Sequence, residues 1–242
     1  MKVPHFVTSY LRMSEKLLET HDEEPAMSVA VGGDFRAVGE LEFYLLKQEG
    51  LRPDHTVIDA GCGSGRLAAQ LRTYLTGTFI GIDVVPDLFQ YAKRICARPD
   101  WRFYQAPGTN IPEPDASADF VTFFSVFTHL LAEETFRYLQ DAARVLKPSG
   151  KIVFSFLEFR VPSHWAVFDA SVLDHAPDKV LNQFMDRDMV HGFAQRLGLD
   201  ATFYDGDVPH IALDSPVKWD SGMVMDGLGN LGQSVCVLTK SG

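Results

Sequence analysis

The stretch Val57–Ala68, reading VIDAGCGSGRLA, constrains the fold more than any other part of this chain. Val57 and Ile58 close a short apolar run of strand character, and Asp59 stands at its tip. Gly61, Gly63 and Gly65 then alternate with small residues, after which Leu67, Leu71 and Leu75 recur at helical spacing. A strand, a glycine turn and a helix start therefore follow one another within about ten residues. Glycines let the backbone bend sharply and let a ligand lie against the amides. The helix start behind them offers unpaired N–H groups to an electron-rich ligand. Such a turn can also exist with no ligand, so the loop alone does not decide its use.

The spacing of the glycines and the next acidic residue narrow the choice. A dinucleotide fingerprint, G-x-G-x-x-G, requires Gly or Ala at position 66, where this chain has Arg66. The turn is G-x-G-x-G instead, which speaks against NAD, the runner-up cofactor. A second apolar run, Thr78–Ile82, ends in Asp83, eighteen residues past Gly65. A carboxylate there has two acceptor oxygens with which to hold a ribose diol. VIDAGCGSGRLA followed by FIGIDVVPDLFQYAKR resembles the Rossmann-like S-adenosylmethionine-dependent methyltransferases.

Alternating strand and helix patterns continue along the chain. Phe6, Tyr10, Met13 and Leu17 share one helical face, a polar stretch from Glu19 to Glu24 follows, and Ala26–Gly39 reads as a loop. Val38, Leu41 and Leu45 mark a second helix. The spacing predicts strands at Thr56–Ala60, Thr78–Asp83, Trp101–Gln105, Ala118–Phe124 and Lys151–Phe156. Pro86 opens a helix to Cys96, where its missing N–H costs nothing, and Leu139, Ala143 and Leu146 lie on another. Glu158–Asp186, containing Pro162, His164, Trp165, His175 and Pro177, lacks a clean period and reads as an insertion. Met189, Val190, Phe193 and Leu197 form a further helical face, and Ala201–Tyr204 and Ser234–Thr239 read as the last strands. The alternation implies an α/β fold: a doubly wound, mostly parallel sheet with right-handed crossovers and helices on both faces. Its ligand site lies at the strand C-termini, beside strand one.

The resemblance covers roughly Val57–Phe156, including VLKPSGKIVFSF, although Ser149 stands where glycine is more usual. It implies seven strands in the order 3-2-1-4-5-7-6, with an antiparallel last strand. It divides the chain into an N-terminal helical cap, residues 1–50, which can lie over the cofactor as a lid, and a domain over 51–242 with the insertion around 158–186. The implied cofactor is S-adenosylmethionine, held by Asp59, Gly61, Cys62, Gly63, Gly65, Asp83, Val84, Ala106 and Ser125. Asp59 suits the loop amides and the cofactor ammonium, while Cys62 contributes only its backbone. Ala106 and Pro107 occupy the place where the family sets an acidic residue for the adenine, which leaves the adenine contact open, a backbone carbonyl being one candidate.

The methyl on the sulfonium is already electrophilic, so the protein has to align the acceptor and, for an oxygen, remove a proton. His129, just past strand four, is the first candidate base and His164 the second; Glu158 and Arg160 would face the same cleft. The alternative for His129 is a histidine packed at a helix start. SVFTHL resembles bacterial methyltransferases of small molecules, including sugars and secondary metabolites. The expectation is a transferase acting on an oxygen, less readily a nitrogen, of a small molecule. Its rivals are a silent cofactor-binding partner subunit and a protein or RNA methyltransferase.

Composition bounds these readings. A formal charge of −10 over 242 residues, with no basic run, disfavours nucleic acid as a partner. No stretch approaches the 18 apolar residues that span a membrane, and MKVPHFVTSYLRM lacks the apolar core of a signal peptide. Cys62, Cys96 and Cys236 match no metal spacing and read as reduced thiols of a cytoplasmic protein, with no metal expected. Nothing in the sequence fixes an oligomeric state.

Overall fold

A computed structural model describes residues 4–176 and 179–241, so Pro177 falls outside the described residues. Its centre is a seven-stranded sheet. In chain order the strands are β1 (Val57–Ala60), β2 (Phe79–Asp83), β3 (Arg102–Gln105), β4 (Ala118–Phe123), β5 (Leu146–Phe156) and β6 (Leu199–Tyr204). Two short ribbons follow: β7 (Ile211–Ala212) pairs with β10 (Leu228–Gly229), and β8 (Val217–Lys218) with β9 (Val224–Met225). β11 (Ser234–Lys240) completes the large sheet. The order is β3-β2-β1-β4-β5-β11-β6, and β11 runs antiparallel to both neighbours. This is the expected doubly wound topology.

The central strands are buried on both faces, and successive side chains enter opposite cores. Val57, Phe79 and Val153 pack with Leu41, Leu45 and Leu46 of α3 (Phe35–Gln48) and Leu67 and Leu71 of α4 (Arg66–Leu71). Ile58, Ile80 and Phe154 face Leu139, Ala142 and Val145 of α6 (Ala132–Val145) and Val190 and Ala194 of α8 (Arg187–Arg196). α5 (Pro86–Cys96) has the bounds that Pro86 sets.

The ends of the chain depart from the sequence pattern. α1 (His5–Thr20) carries the expected face, but part of the predicted loop is a second helix, α2 (Glu23–Ala30). Its four-residue spacing of Ala26 and Ala30 beside Met27 buries all three, and only Val31–Asp34 remains as loop. Within 158–186 a 3-10 turn at Pro162–His164 leads into α7 (Trp165–Leu173), and Phe184 returns to bridge Leu157. The ribbons between β6 and β11 were not legible in the sequence. They rest on α3, where Gln48 Oε1 accepts the Ala212 amide at 2.9 Å.

Candidate active site

A cavity of about 530 Å³ opens at the C-terminal ends of the parallel strands. One end is the glycine loop. Gly61 and Gly63 have φ of +79° and +51°, a region that L side chains rarely enter. A Cβ at Gly61 would lie 2.4 Å from Val126 Cγ2, and one at Gly63 2.5 Å from Val31 Cγ1. Asp83, at the end of β2, accepts the Gly63 amide at 2.8 Å and the Val85 amide at 2.9 Å. Burial raises its pKa, and those amides oppose the rise. Asp59, at the tip of β1, accepts the Thr122 hydroxyl at 2.7 Å. Burial pushes its pKa up to about 7, against the pull of that hydrogen bond.

The loop's side chains tie it to the N-terminal helices. Ser64 Oγ donates to the Met27 carbonyl at 2.7 Å. Arg66 Nη1 donates to the carbonyls of Val31 and Gly32, and its Nη2 meets buried Glu42 at 2.5 Å. Arg66, read in the sequence only as evidence against NAD, therefore pins Val31–Gly33 beside the glycines.

The other end is made by side chains from distant segments. Ser125, after β4, adopts φ +58° without being glycine, a strained conformation of the kind that clusters at functional sites. Its amide donates to Ser155 Oγ at 2.7 Å, Ser155 Oγ donates to Gln233 Oε1 at 2.7 Å, and Gln233 Nε2 donates to Ser125 Oγ at 3.1 Å. This closed ring lines the cavity. His129, in a 3-10 turn spanning Phe127–His129, also lines it, and its Nδ1 lies 2.6 Å from the Leu181 carbonyl. A carbonyl only accepts, so Nδ1 carries the proton and Nε2 is left with a lone pair. Burial holds the pKa of His129 below the ordinary imidazole value. Tyr10 of α1 packs edge-on against the ring, centroids 5.1 Å apart, and lines the cavity with Phe6 and Met13.

Residues 58–154 match the family described as methyltransferase domain. Demethylmenaquinone methyltransferase of Tropheryma whipplei is 35% identical over 109 residues, which is 44% of each chain. Fatty-acid O-methyltransferase of Mycolicibacterium smegmatis is 27% identical over 160 residues, 65% of this chain and 57% of that one. Magnesium protoporphyrin IX methyltransferase from Synechocystis PCC 6803, solved with bound SAH, superposes with a TM-score of 0.60 at 14% identity, covering 98% of this chain and 97% of that one. The last likeness is one of fold. The match to a methyltransferase domain thus covers residues 58–154, less than half of the chain, and the sheet that carries them has the fold of the solved methyltransferase. The alignment with the first curated relative spans less than half of that protein's length.

The cofactor of this family is S-adenosylmethionine, and the methyltransferase domain has the chemistry to hold it. Two carboxylates, Asp59 and Asp83, line the cavity beside a loop whose Gly61 and Gly63 Cβ positions are closed to side chains, within a volume typical of small-ligand pockets. Asp59, Gly61, Cys62, Gly63, Asp83, Val84 and Ser125 all line the cavity. Gly65 lies behind them, where its Cβ would be 2.6 Å from Ala92 of α5, so it serves helix packing. Burial pushes the Cys62 thiol up, away from the thiolate that a nucleophile requires. Among the described residues, no group of three His, Cys, Asp or Glu is placed to hold a metal.

Other expected residues lie elsewhere. Ala106 is buried and absent from the cavity wall; its amide donates to the Asp83 carbonyl, and Gly108 reaches the wall instead. His164 is only 1% exposed and does not line the cavity. Its Nδ1 accepts the Glu158 amide at 2.9 Å, and its Nε2 faces the Gly232 carbonyl at 3.1 Å, so both nitrogens are spent on backbone. Glu158 is buried against Arg187 and Ser234 rather than facing the cleft, and exposed Arg160 does not line it. Ser155, Gln233 and Tyr138 line the cavity and were missed. Ser155 carried a usable signal, being a hydroxyl within the otherwise apolar run Ile152–Phe156 that ends β5.

Proposed function

We propose that the protein transfers the methyl group of S-adenosylmethionine to an oxygen, less readily a nitrogen, of a small molecule in the cytoplasm. One observation carries the reading: a single cavity joins the glycine loop and its two carboxylates to an imidazole whose Nε2 is a free base. When bound, S-adenosylmethionine supplies an electrophilic methyl group on a sulfonium. Asp59 would hold the ammonium, Asp83 the ribose diol, and the loop amides would lie along the rest. Ser125 and Gln233 would orient the acceptor's polar head, and alignment of this kind is worth about 7–11 kcal/mol. Nε2 of His129 would take the hydroxyl proton as the oxygen attacks. The acceptors for which two relatives are named, a demethylmenaquinone and a fatty acid, agree with the apolar wall formed by Phe6, Met13, Leu130 and Leu157 and favour a largely apolar acceptor. The three cysteines are free and buried, which suits a reducing compartment.

Thermal unfolding with S-adenosylmethionine, S-adenosylhomocysteine and NAD tests the cofactor. At about 100 times its Kd, a ligand adds roughly 2.7 kcal/mol, a rise of about 5–10 °C. Stabilisation by NAD alone would overturn the reading. A protein or RNA acceptor is disfavoured by the charge of −10. A silent binding subunit would bind S-adenosylhomocysteine and turn over no acceptor in a screen of phenols, quinols and carboxylic acids.

A further inference from the structure

We propose that the acceptor carries, besides the hydroxyl that is methylated, an uncharged carbonyl oxygen that Ser125 and Gln233 hold together. The inference rests on the methyltransferase reading and adds the group by which the substrate is recognised. Three side chains from separate strand ends meet at this point: Ser125 after β4, Ser155 in β5 and Gln233 just ahead of β11. Their hydrogens decide what the ring can hold. Ser155 is 2% exposed, and its Oγ already accepts the Ser125 amide at 2.7 Å. Its own hydrogen has one acceptor among the described residues, Gln233 Oε1 at 2.7 Å. A buried hydroxyl without an acceptor would cost its full desolvation, so the Gln233 amide is fixed with Oε1 towards Ser155 and Nε2 towards Ser125. Nε2 gives one hydrogen to Ser125 Oγ at 3.1 Å. Two hydrogens stay unspent among the described residues, the second on Nε2 and the one on Ser125 Oγ. They belong to atoms 3.1 Å apart, on half-buried side chains that line the cavity. Two donors side by side suit one oxygen with two lone pairs, as a carbonyl has.

Place and charge identify whose oxygen it is. Asp59 and Asp83 end β1 and β2, whereas Ser155 belongs to β5 and Gln233 to the approach to β11. β4 lies between β1 and β5, which sets Ser155 about 10 Å across the sheet from β1, on the side away from β2. The ring therefore belongs to the acceptor. Glu42, Asp59 and Asp83 all line the cavity. Among the described residues, Arg66 is the only Lys or Arg on the wall, and its hydrogen bonds go to Val31, Gly32 and Glu42. An anionic head would meet those carboxylates without a cation to offset them. A neutral ketone, ester, amide or quinone oxygen fits instead. His129 lines the same cavity, so the acceptor's two oxygens are read by different groups: the hydroxyl by the imidazole and the carbonyl by the ring.

The probes are ortho-, meta- and para-hydroxyacetophenone and the matching isopropylphenols, which keep the shape and lose the carbonyl oxygen. Each is titrated calorimetrically into protein saturated with S-adenosylhomocysteine. In at least one isomer the ketone should bind about 10- to 100-fold more tightly than its isopropyl partner, as two hydrogen bonds allow. Gln233→Glu should abolish that preference. The new carboxylate still accepts the Ser155 hydroxyl and draws the Ser125 hydroxyl to itself, so neither donor remains. Ser125→Gly, which suits the φ of +58° there, removes one donor and should leave a preference of about 3- to 10-fold. If Gln233→Glu does not fold, an undiminished preference in Ser125→Gly overturns the proposal on its own. Equal affinity for ketone and isopropyl compounds in the wild type, or a preference that survives Gln233→Glu, would overturn it and leave the methyltransferase reading intact. So would tighter binding of the hydroxybenzoates, which would make the ring an anion site. Weakened S-adenosylhomocysteine binding in folded Gln233→Glu would give the ring to the cofactor and also overturn it. Failure of the wild type to bind S-adenosylhomocysteine would remove both readings.

Discussion

The two ends of the cavity are built from different material. At the glycine end the surface is backbone: Gly61 and Gly63 at positive φ, with Asp83 accepting the Gly63 amide of that turn and the Val85 amide just past β2. All of it lies between Asp59 and Val85. At the acceptor end the surface is side chains, drawn from α1, the turn after β4, β5, α7 and the approach to β11. Backbone cannot be retuned without breaking the turn, so the first end suits an invariant task. Side chains on separate elements can be changed one at a time, so the second suits a choice of acceptor. Variants at the glycine end should therefore move cofactor affinity, and variants at the acceptor end turnover at saturating cofactor.

Gly63→Val should give the largest effect. The substitution forces a β-branched residue to φ +51° and drives its Cβ to 2.5 Å from Val31. Measurable calorimetric binding of S-adenosylhomocysteine should vanish. Normal binding in this variant would show that the loop is not the cradle, and the contrast between the ends would collapse.

The counterpart at the acceptor end is His129→Gln, which keeps size and hydrogen bonding but cannot take a proton. Turnover of an oxygen acceptor should fall about 10²–10⁴-fold, while cofactor affinity stays within a few-fold of wild type. His164→Ala should leave catalysis at saturating substrate nearly intact, since that ring holds only the Glu158 amide and the Gly232 carbonyl. Its cost should appear as lost thermal stability. Near-wild-type turnover of His129→Gln would make His129 a packing residue.

Asp83→Ala sharpens the comparison from within the glycine end. It removes a carboxylate that accepts two loop amides and is placed for a ribose diol. Charge-assisted bonds are worth roughly 1.5–3 kcal/mol each. Cofactor affinity should drop by about 10- to 1000-fold with kcat at saturation little changed. A folded variant with unaltered calorimetric affinity would remove Asp83 from the ribose role.

The same contrast explains what could be read before the structure. From β1 to β5 each strand-and-helix unit buries its own apolar face, so the spacing of Val57, Leu67 and Phe79 is enough to locate it. The glycine end inherits that legibility because its parts are neighbours in the chain. The acceptor end does not. Gln233 meets Ser125 across 108 residues, and nothing local to either marks the pairing. α2 was missed because its buried run is only Ala26, Met27 and Ala30, too short for a clear period. His164 misled for the opposite reason: a histidine beside a cleft in sequence is pulled into the core by two backbone bonds.

The smallest expected effect is a pH dependence confined to the glycine end. Burial holds the pKa of Asp59 at about 7, so the carboxyl is largely protonated at pH 6 and ionised at pH 8. Only the ionised form attracts an ammonium. Binding of S-adenosylhomocysteine should therefore strengthen as pH rises towards 7 and weaken below it, by at most tenfold per unit. The sign is opposite for the folding stability of the free protein. A carboxyl whose folded pKa exceeds its unfolded value binds more protons when folded, so this group's contribution falls as pH rises from about 4 to 7. Cofactor that binds the ionised form opposes that loss. His129, held below the ordinary imidazole value, should leave cofactor affinity alone and act only on turnover, with its acid limb below pH 6.5. Calorimetric titrations at pH 5.5, 6.5 and 7.5 on the wild type and Asp59→Asn separate the two groups. The wild-type slope should disappear in Asp59→Asn and persist in His129→Gln. If Asp59→Asn retains the slope, the titrating group is elsewhere and Asp59 does not hold the ammonium.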